Sequence, residues 1–264
     1  MGKGYVYSFS SSCKVGYGSA LPKQALYYIR LALLFHFSLF TFHSRSFSEC
    51  QAQNTKYANF ARYAKANTEL GQPEKGERRV VLLGNSITDN WAKLRKDFFK
   101  NNALIGRGIS GQTSDQFLLR FREDVINLKP YIVVINSGTN DIAENSNTVP
   151  YNEDLLFGNI VSIVELARYN KIKVILTSCL PAEGFRWNMK ITNAMDKIRH
   201  YNERLKAYAK ANKIPFVDYF SALVNEEGTA MKAELGQEMP TVHPNEAGYE
   251  IMEKLLLPVI EKMR

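Results

Sequence analysis

Five short apolar runs alternate with stretches of helical periodicity between residues 79 and 262, and this alternation constrains the fold more than any other feature of the chain. The runs are residues 79–83 (RVVLL), 103–106 (ALIG), 131–136 (YIVVIN), 173–178 (KVILTS) and 215–219 (PFVDY). Each has the length of a strand and is too short for a helix. They do not alternate apolar with polar, so both faces of the sheet they form must be covered. Residues 89–100, 113–128, 152–169, 192–212 and 245–262 read as the covering helices. In the second of these, Phe117, Leu118, Phe121 and Val125 share one face; Asn245 is placed to cap the last. The order predicts an α/β fold: a central parallel sheet of about five strands in a three-layer α/β/α sandwich. Ligands of such a sheet bind beyond the carboxyl ends of its strands.

The sandwich accounts for one domain, residues 53–264. A lead-in helix opens it, with Tyr57, Phe60, Ala61 and Ala64 at helical spacing, and Gly71-Gln72-Pro73 ends that helix. Residues 1–52 read as a targeting segment. Residues 31–42 (LALLFHFSLFTF) are an apolar run preceded by Lys23 and Arg30. That is the length of a signal-peptide core and too short to span a bilayer. A secreted or periplasmic protein is therefore expected, with a cleaved signal peptide and no stable membrane span in the mature chain. Lipid anchoring at Cys50 is not expected, because Glu49 stands where a small residue belongs. The net charge is +8, and residues 1–50 carry five of the basic residues against Glu49 alone. The body is thus only mildly basic and has no dense Lys/Arg run, which argues against nucleic acid as a partner. Of three cysteines, Cys13 and Cys50 lie in the targeting region. Cys179 is then alone, with no disulfide framework, and ends a strand-like run as a small buried residue would. The oligomeric state is not written in the sequence.

The strand ends carry the chemistry. The first runs into Gly84-Asn85-Ser86-Ile87-Thr88-Asp89, where a serine stands on the turn into a helix. Its hydroxyl is held at the sheet edge, and its N–H lies at a helix N-terminus suited to a developing oxyanion. Taken alone, Ser86 or Thr88 simply caps that helix. The second strand ends in Arg107-Gly108-Ile109-Ser110-Gly111-Gln112-Thr113, where glycine lets backbone N–H groups approach a ligand; by itself this is an ordinary turn. The third ends in Asn136-Ser137-Gly138-Thr139-Asn140-Asp141, with the Asn140 amide as a donor or as a loop-shaping group. The body holds two histidines. His200 lies among charged neighbours in a long helix and reads as a surface residue. His243, in Val242-His243-Pro244-Asn245, is the general base available to a serine nucleophile in the loops.

These blocks, in this order, resemble those of the SGNH (GDSL-like) hydrolase superfamily over residues 79–262. The nearest resemblance is to the branch of platelet-activating-factor acetylhydrolase subunits and bacterial acyl-hydrolases. The resemblance implies the flavodoxin-like SGNH hydrolase fold, Ser86 as nucleophile and His243 as its base. It implies an oxyanion hole from the Ser86 and Gly111 N–H groups and the Asn140 amide. The chain departs from the pattern twice. Asn85 replaces an aspartate, which keeps local hydrogen bonds but not the charge. Pro240 stands three residues before His243, where the family places the aspartate that orients the imidazole. A Ser–His dyad with a backbone carbonyl on Nδ1–H is then expected, with Glu238 as the alternative acid.

The expected activity is that of a serine esterase cleaving carboxylic esters through an acyl-enzyme: acetyl or short acyl esters of carbohydrate, or lysophospholipid-type esters. No cofactor is needed, and no His/Cys/Asp cluster has metal-ligand spacing. Phe185, Arg186 and Trp187 follow the fourth strand and are placed either to line a sugar or acyl subsite or to pack the loop. Pro240 motivates the alternative, a weakly active or non-catalytic carbohydrate- or lipid-binding protein on a hydrolase scaffold.

Overall fold

The apolar runs form five strands in the computed structural model, which describes residues 56–145, 150–237 and 242–264. The targeting segment, Cys13, Cys50, Glu238 and Pro240 lie outside the described residues. The strands are β1 (Val80–Gly84), β2 (Leu104–Gly108), β3 (Ile132–Ile135), β4 (Lys173–Thr177) and β5 (Phe216–Val217). They are parallel throughout and ordered β2-β1-β3-β4-β5. This is the flavodoxin-like order, in which the chain reverses its direction of winding between β1 and β3 and leaves a crevice at the strand ends there.

Alternate strand residues face opposite layers. Val81, Leu83, Val133, Ile135, Val174 and Leu176 point to one side. There they meet α4 (Ser114–Asp124), α6 (Glu153–Tyr169) and α7 (Ala194–Ala211), through Phe117, Phe121, Ile160, Ile163, Ile198 and Leu205. Val80, Leu82, Ile132, Val134 and Ile175 point to the other. Their cover is α2 (Ser86–Leu94), α3 (Lys96–Asn101), α8 (Tyr219–Leu223) and α9 (Glu246–Met263), with Trp91, Phe99, Tyr249, Met252 and Leu256. Each fully buried Val, Leu or Ile contributes about 1.5–3 kcal/mol, so the two-sided sheet drives the fold. Between β3 and α6 lies a single turn of helix, α5 (Thr139–Ile142). Among the described residues no helix is long and apolar enough to cross a membrane.

Several element limits differ from those read in the sequence. The helix expected at 89–100 begins at Ser86, because Asn85 caps it by accepting the Ile87 N–H at 3.0 Å. It also breaks at Arg95 (φ −115°, ψ 47°), whose guanidinium is drawn to Glu250 and Glu253 of α9. The helix expected at 113–128 stops at Asp124 and passes into a 3-10 turn, Ile126–Leu128. The lead-in helix, α1 (Ala61–Leu70), starts after Asn59, whose φ of 54° turns the chain. Tyr57 and Ala58 therefore lie outside α1, and Ala58 is fully buried.

Candidate active site

Ser86 is the first residue of α2, held at the carboxyl end of β1 by close packing. A Cβ on Gly108, the last residue of β2, would sit 2.3 Å from the Asp89 nitrogen and 2.6 Å from the Asn85 oxygen. Only glycine lets β2 end against the first turn of α2. The Ile109 N–H donates to Gly84 O at 3.1 Å and carries the chain onward to Gly111. Gly111 has φ +80° and open space where a side chain would stand, so glycine serves conformation there, not packing. The N–H groups of Ser86 and Gly111 donate to nothing among the described residues.

Asn140 lies in α5, just beyond the end of β3, and is 2% exposed. Its Nδ2 donates to Gln112 O at 2.9 Å, and its Oδ1 accepts from Asn145 Nδ2 at 3.0 Å. The loop before it is pressed on α7. A Cβ on Gly138 (φ +104°) would meet the Tyr201 ring at 2.8 Å, and the Tyr201 hydroxyl pairs with Ser137 Oγ at 2.7 Å.

His243 comes from the loop before α9 and places Nε2 2.8 Å from Ser86 Oγ. With the imidazole proton on Nδ1, Nε2 accepts from the serine hydroxyl. Its backbone is clasped by residues 234–237. Gln237 N–H donates to His243 O at 3.0 Å, Asn245 N–H to Leu235 O at 2.9 Å, and Asn245 Oδ1 caps α9 at Gly248. Burial pushes the imidazole below its ordinary pKa, which favours the neutral form that a base requires. The two helices that flank the pair, α2 and α9, are stapled together. Tyr249 Oη donates to Ile87 O at 2.8 Å and its ring stacks on Trp91. Trp91 Nε1 and Arg95 Nε both donate to Glu253 Oε1, at 3.1 and 2.9 Å.

Three residues behind these groups went unnoticed in the sequence. Arg120 is wholly buried. Its guanidinium donates to Gly84 O (2.9 Å), Arg107 O (3.0 Å), Gln112 Oε1 (2.5 Å) and Asp124 Oδ2 (3.0 Å), joining the ends of β1 and β2 to the Gly111 turn. Gln112 in turn donates from Nε2 to Ala58 O at 2.9 Å, which ties the lead-in segment to that turn. The third is Asn145. The signal for Arg120 was its place among Phe117, Phe121 and Val125 on an apolar helix face, where an unpaired arginine has no business.

The other candidates separate. Phe185 is 2% exposed and packs in the core, so it serves the loop. Trp187 is 49% exposed with its ring centroid 5.4 Å from that of Phe185, and Arg186 is exposed. His200 is on the surface and pairs with Glu153 at 2.6 Å. Cys179 is a free, buried thiol pushed up to about 12 by desolvation, so it is not a nucleophile. Among the described residues no group of three His, Cys, Asp or Glu is gathered to hold a metal ion.

A parallel α/β sandwich with a serine and a histidine paired at its strand ends has the frame of a hydrolase. The chain belongs to the GDSL-like lipase/acylhydrolase family, whose model matches residues 82–251. A GDSL-like lipase from Bacteroides thetaiotaomicron VPI-5482 is 57% identical, with a TM-score of 0.76 over 79% of this chain and all of that one. The uncharacterized lipoprotein YqeF of Bacillus subtilis is 29% identical over 183 residues, 58% of this chain and 75% of that protein. An acetylxylan esterase from Geobacillus stearothermophilus is 22% identical, with a TM-score of 0.56 over 69% of this chain and 94% of that one, a likeness of fold.

Proposed function

We propose that this hydrolase is a serine esterase working through an acyl-enzyme, with Ser86 as nucleophile and His243 as general base. The observation that carries this is the 2.8 Å contact between Ser86 Oγ and His243 Nε2 at the carboxyl end of β1. As Oγ attacks the ester carbonyl, His243 Nε2 takes its proton. The carbonyl oxygen gathers negative charge and is met by the N–H groups of Ser86 and Gly111 and by Asn140 Nδ2. The C–O bond then breaks, and the imidazolium returns the proton to the leaving alcohol. A water, deprotonated by His243, cleaves the acyl-serine. The imidazole Nδ1–H is held by a backbone carbonyl in this scheme, so Glu238→Gln leaves the rate unchanged.

The substrates are acetyl or short acyl esters of carbohydrate or lysophospholipid-type compounds outside the cytoplasm. The acetylxylan esterase with the same fold supports the first class, and the Bacillus relative's description as a lipoprotein supports the location. The test is hydrolysis of p-nitrophenyl acetate by the purified protein and by Ser86→Ala. The wild type is expected to turn over at least 10³-fold faster than the variant. Equal, slow rates would leave a binding protein on a hydrolase scaffold.

A further inference from the structure

The Asn140 amide can donate to an oxyanion only if its NH2 group, and not its oxygen, faces the site. Two side chains and one backbone carbonyl decide which way it faces. The Trp187 indole N–H is a donor and nothing else. It donates to Asn145 Oδ1 at 2.5 Å, so the oxygen of Asn145 must face Trp187 and its NH2 must face away. That NH2 donates to Asn140 Oδ1 at 3.0 Å and also approaches Gly111 O at 3.4 Å. The oxygen of Asn140 is thereby turned to Asn145. Its NH2 is turned to Gln112 O at 2.9 Å, an acceptor and nothing else, with the second hydrogen left for a ligand. The chain runs from a group that can only donate to one that can only accept, so no member can reverse alone.

We propose that Asn145 is a positioning residue for the oxyanion hole and that Trp187, through its indole N–H, fixes the direction of the Asn145 amide. Trp187 then acts on the reaction itself from the exposed loop after β4, and its ring need not touch the substrate to do so. This rests on the esterase reading for its effect on rate. The hydrogen-bond relay itself stands on geometry.

The two are tested separately. Wild type, Ser86→Ala, Asn145→Asp, Asn145→Ala, Trp187→Phe and Trp187→Ala are assayed with p-nitrophenyl acetate, with thermal unfolding and side-chain ¹H–¹⁵N spectra recorded on each. Asn145→Asp is the informative change. Its carboxylate still accepts from the indole, so the Trp187 Nε1–H resonance stays near its wild-type position. It has no hydrogen for Asn140 Oδ1, so the Asn140 amide resonances move and kcat falls by about 10- to 100-fold. That is a part of the 10²–10³ lost when an oxyanion donor is removed outright. Trp187→Phe keeps the ring and lowers kcat by about 3- to 10-fold, with KM within twofold and the Asn140 resonances displaced.

The proposal is overturned if Asn145→Asp and Trp187→Phe both keep kcat within twofold while folded. It is also overturned if Trp187→Phe behaves as wild type and Trp187→Ala loses only in KM, which would make the ring a substrate platform. Unmoved Asn140 resonances in Trp187→Phe overturn the relay whatever the rates. A wild type no faster than Ser86→Ala sinks the esterase reading, and displaced Asn140 resonances in Trp187→Phe would still support the relay.

Discussion

Replacing Arg120 by methionine tests how the strand ends are held. The change keeps most of the buried volume and removes every donor. Asp124, itself 1% exposed, loses its cation and keeps the 2.8 Å bond from Asn67 Nδ2. Gln112 Oε1 and Arg107 O lose the Arg120 bond, and Gly84 O keeps the Ile109 N–H. Removing one partner of a buried ion pair costs about 3–5 kcal/mol, because the other charge is left uncompensated. For a domain of this size that lowers Tm by roughly 6–20 °C. Turnover of p-nitrophenyl acetate is measured well below the new Tm. A displacement on the order of 1 Å in the Gly111 turn lowers kcat by up to about 10²-fold. The double variant Arg120→Met with Asp124→Leu separates the two roles. With both charges gone, stability returns to within about 1–2 kcal/mol of wild type, since a well-packed apolar pair replaces a buried ionic one at little cost. Turnover is not restored, because Gly84, Arg107 and Gln112 still lack the Arg120 donor that joined them. If the single variant loses less than about 1 kcal/mol, or if the double variant recovers kcat along with Tm, the clamp is not what positions the site.

Two predictions concern protons. In the proposed mechanism His243 serves as a base only when neutral, so activity is expected above its pKa and is expected to be lost below it. Burial places that pKa under the ordinary 6.5, and the acid limb of kcat/KM should have its midpoint below pH 6.5; a midpoint at or above that value would contradict the burial argument. Asp141 accepts from the Ser114 N–H at 3.0 Å and from Ser114 Oγ–H at 2.6 Å, and burial raises its carboxyl to about 6. The folded state thus holds a proton that the unfolded state releases near 3.8, so this stabilisation is full at low pH and fades as pH rises through about 6. Asp141→Asn keeps an acceptor for Ser114 and never ionises. Its urea-unfolding free energy relative to wild type should therefore improve by about 2 kcal/mol between pH 4.5 and pH 7.5, and a constant difference would refute the assignment.

The layers were legible because they rest on local pattern. A short run such as IVVI, alternating with helical stretches, reads as a strand covered on both faces, and the helices follow from their own periodicity. The glycine-rich strand ends were equally readable, since Gly108 and Gly111 stand where backbone must approach backbone or turn to positive φ. What was not legible depends on partners far away in the chain. The break at Arg95 is set by Glu250 and Glu253, more than 150 residues on. Ser86 as the first residue of α2 depends on Asn85 winning the cap against Ser86 and Thr88. Phe185 and Trp187 are two residues apart and chemically alike, yet one fills the core while the other stands half exposed with its N–H bonded to Asn145. Nothing in their local sequence distinguishes them.

A site at strand ends meets a difficulty that the core does not. Apolar burial has no direction, so it can fix where a loop lies but not which way a donor points. Asn140 could sit equally buried with its amide reversed, and Ser86 equally close to His243 with its N–H turned aside. The groups that hold this site are therefore those whose hydrogen bonds cannot be reversed. Arg120 only donates, to three oxygens besides that of its carboxylate. Trp91 and Arg95 only donate, and they share the carboxylate of Glu253 between α2 and α9, with Arg95 also reaching Glu250. Trp187 only donates, to Asn145. Buried charge of this kind adds little to stability compared with an apolar replacement. A variant that lacks the charges but folds as well, and works less well, is the outcome that such an arrangement demands.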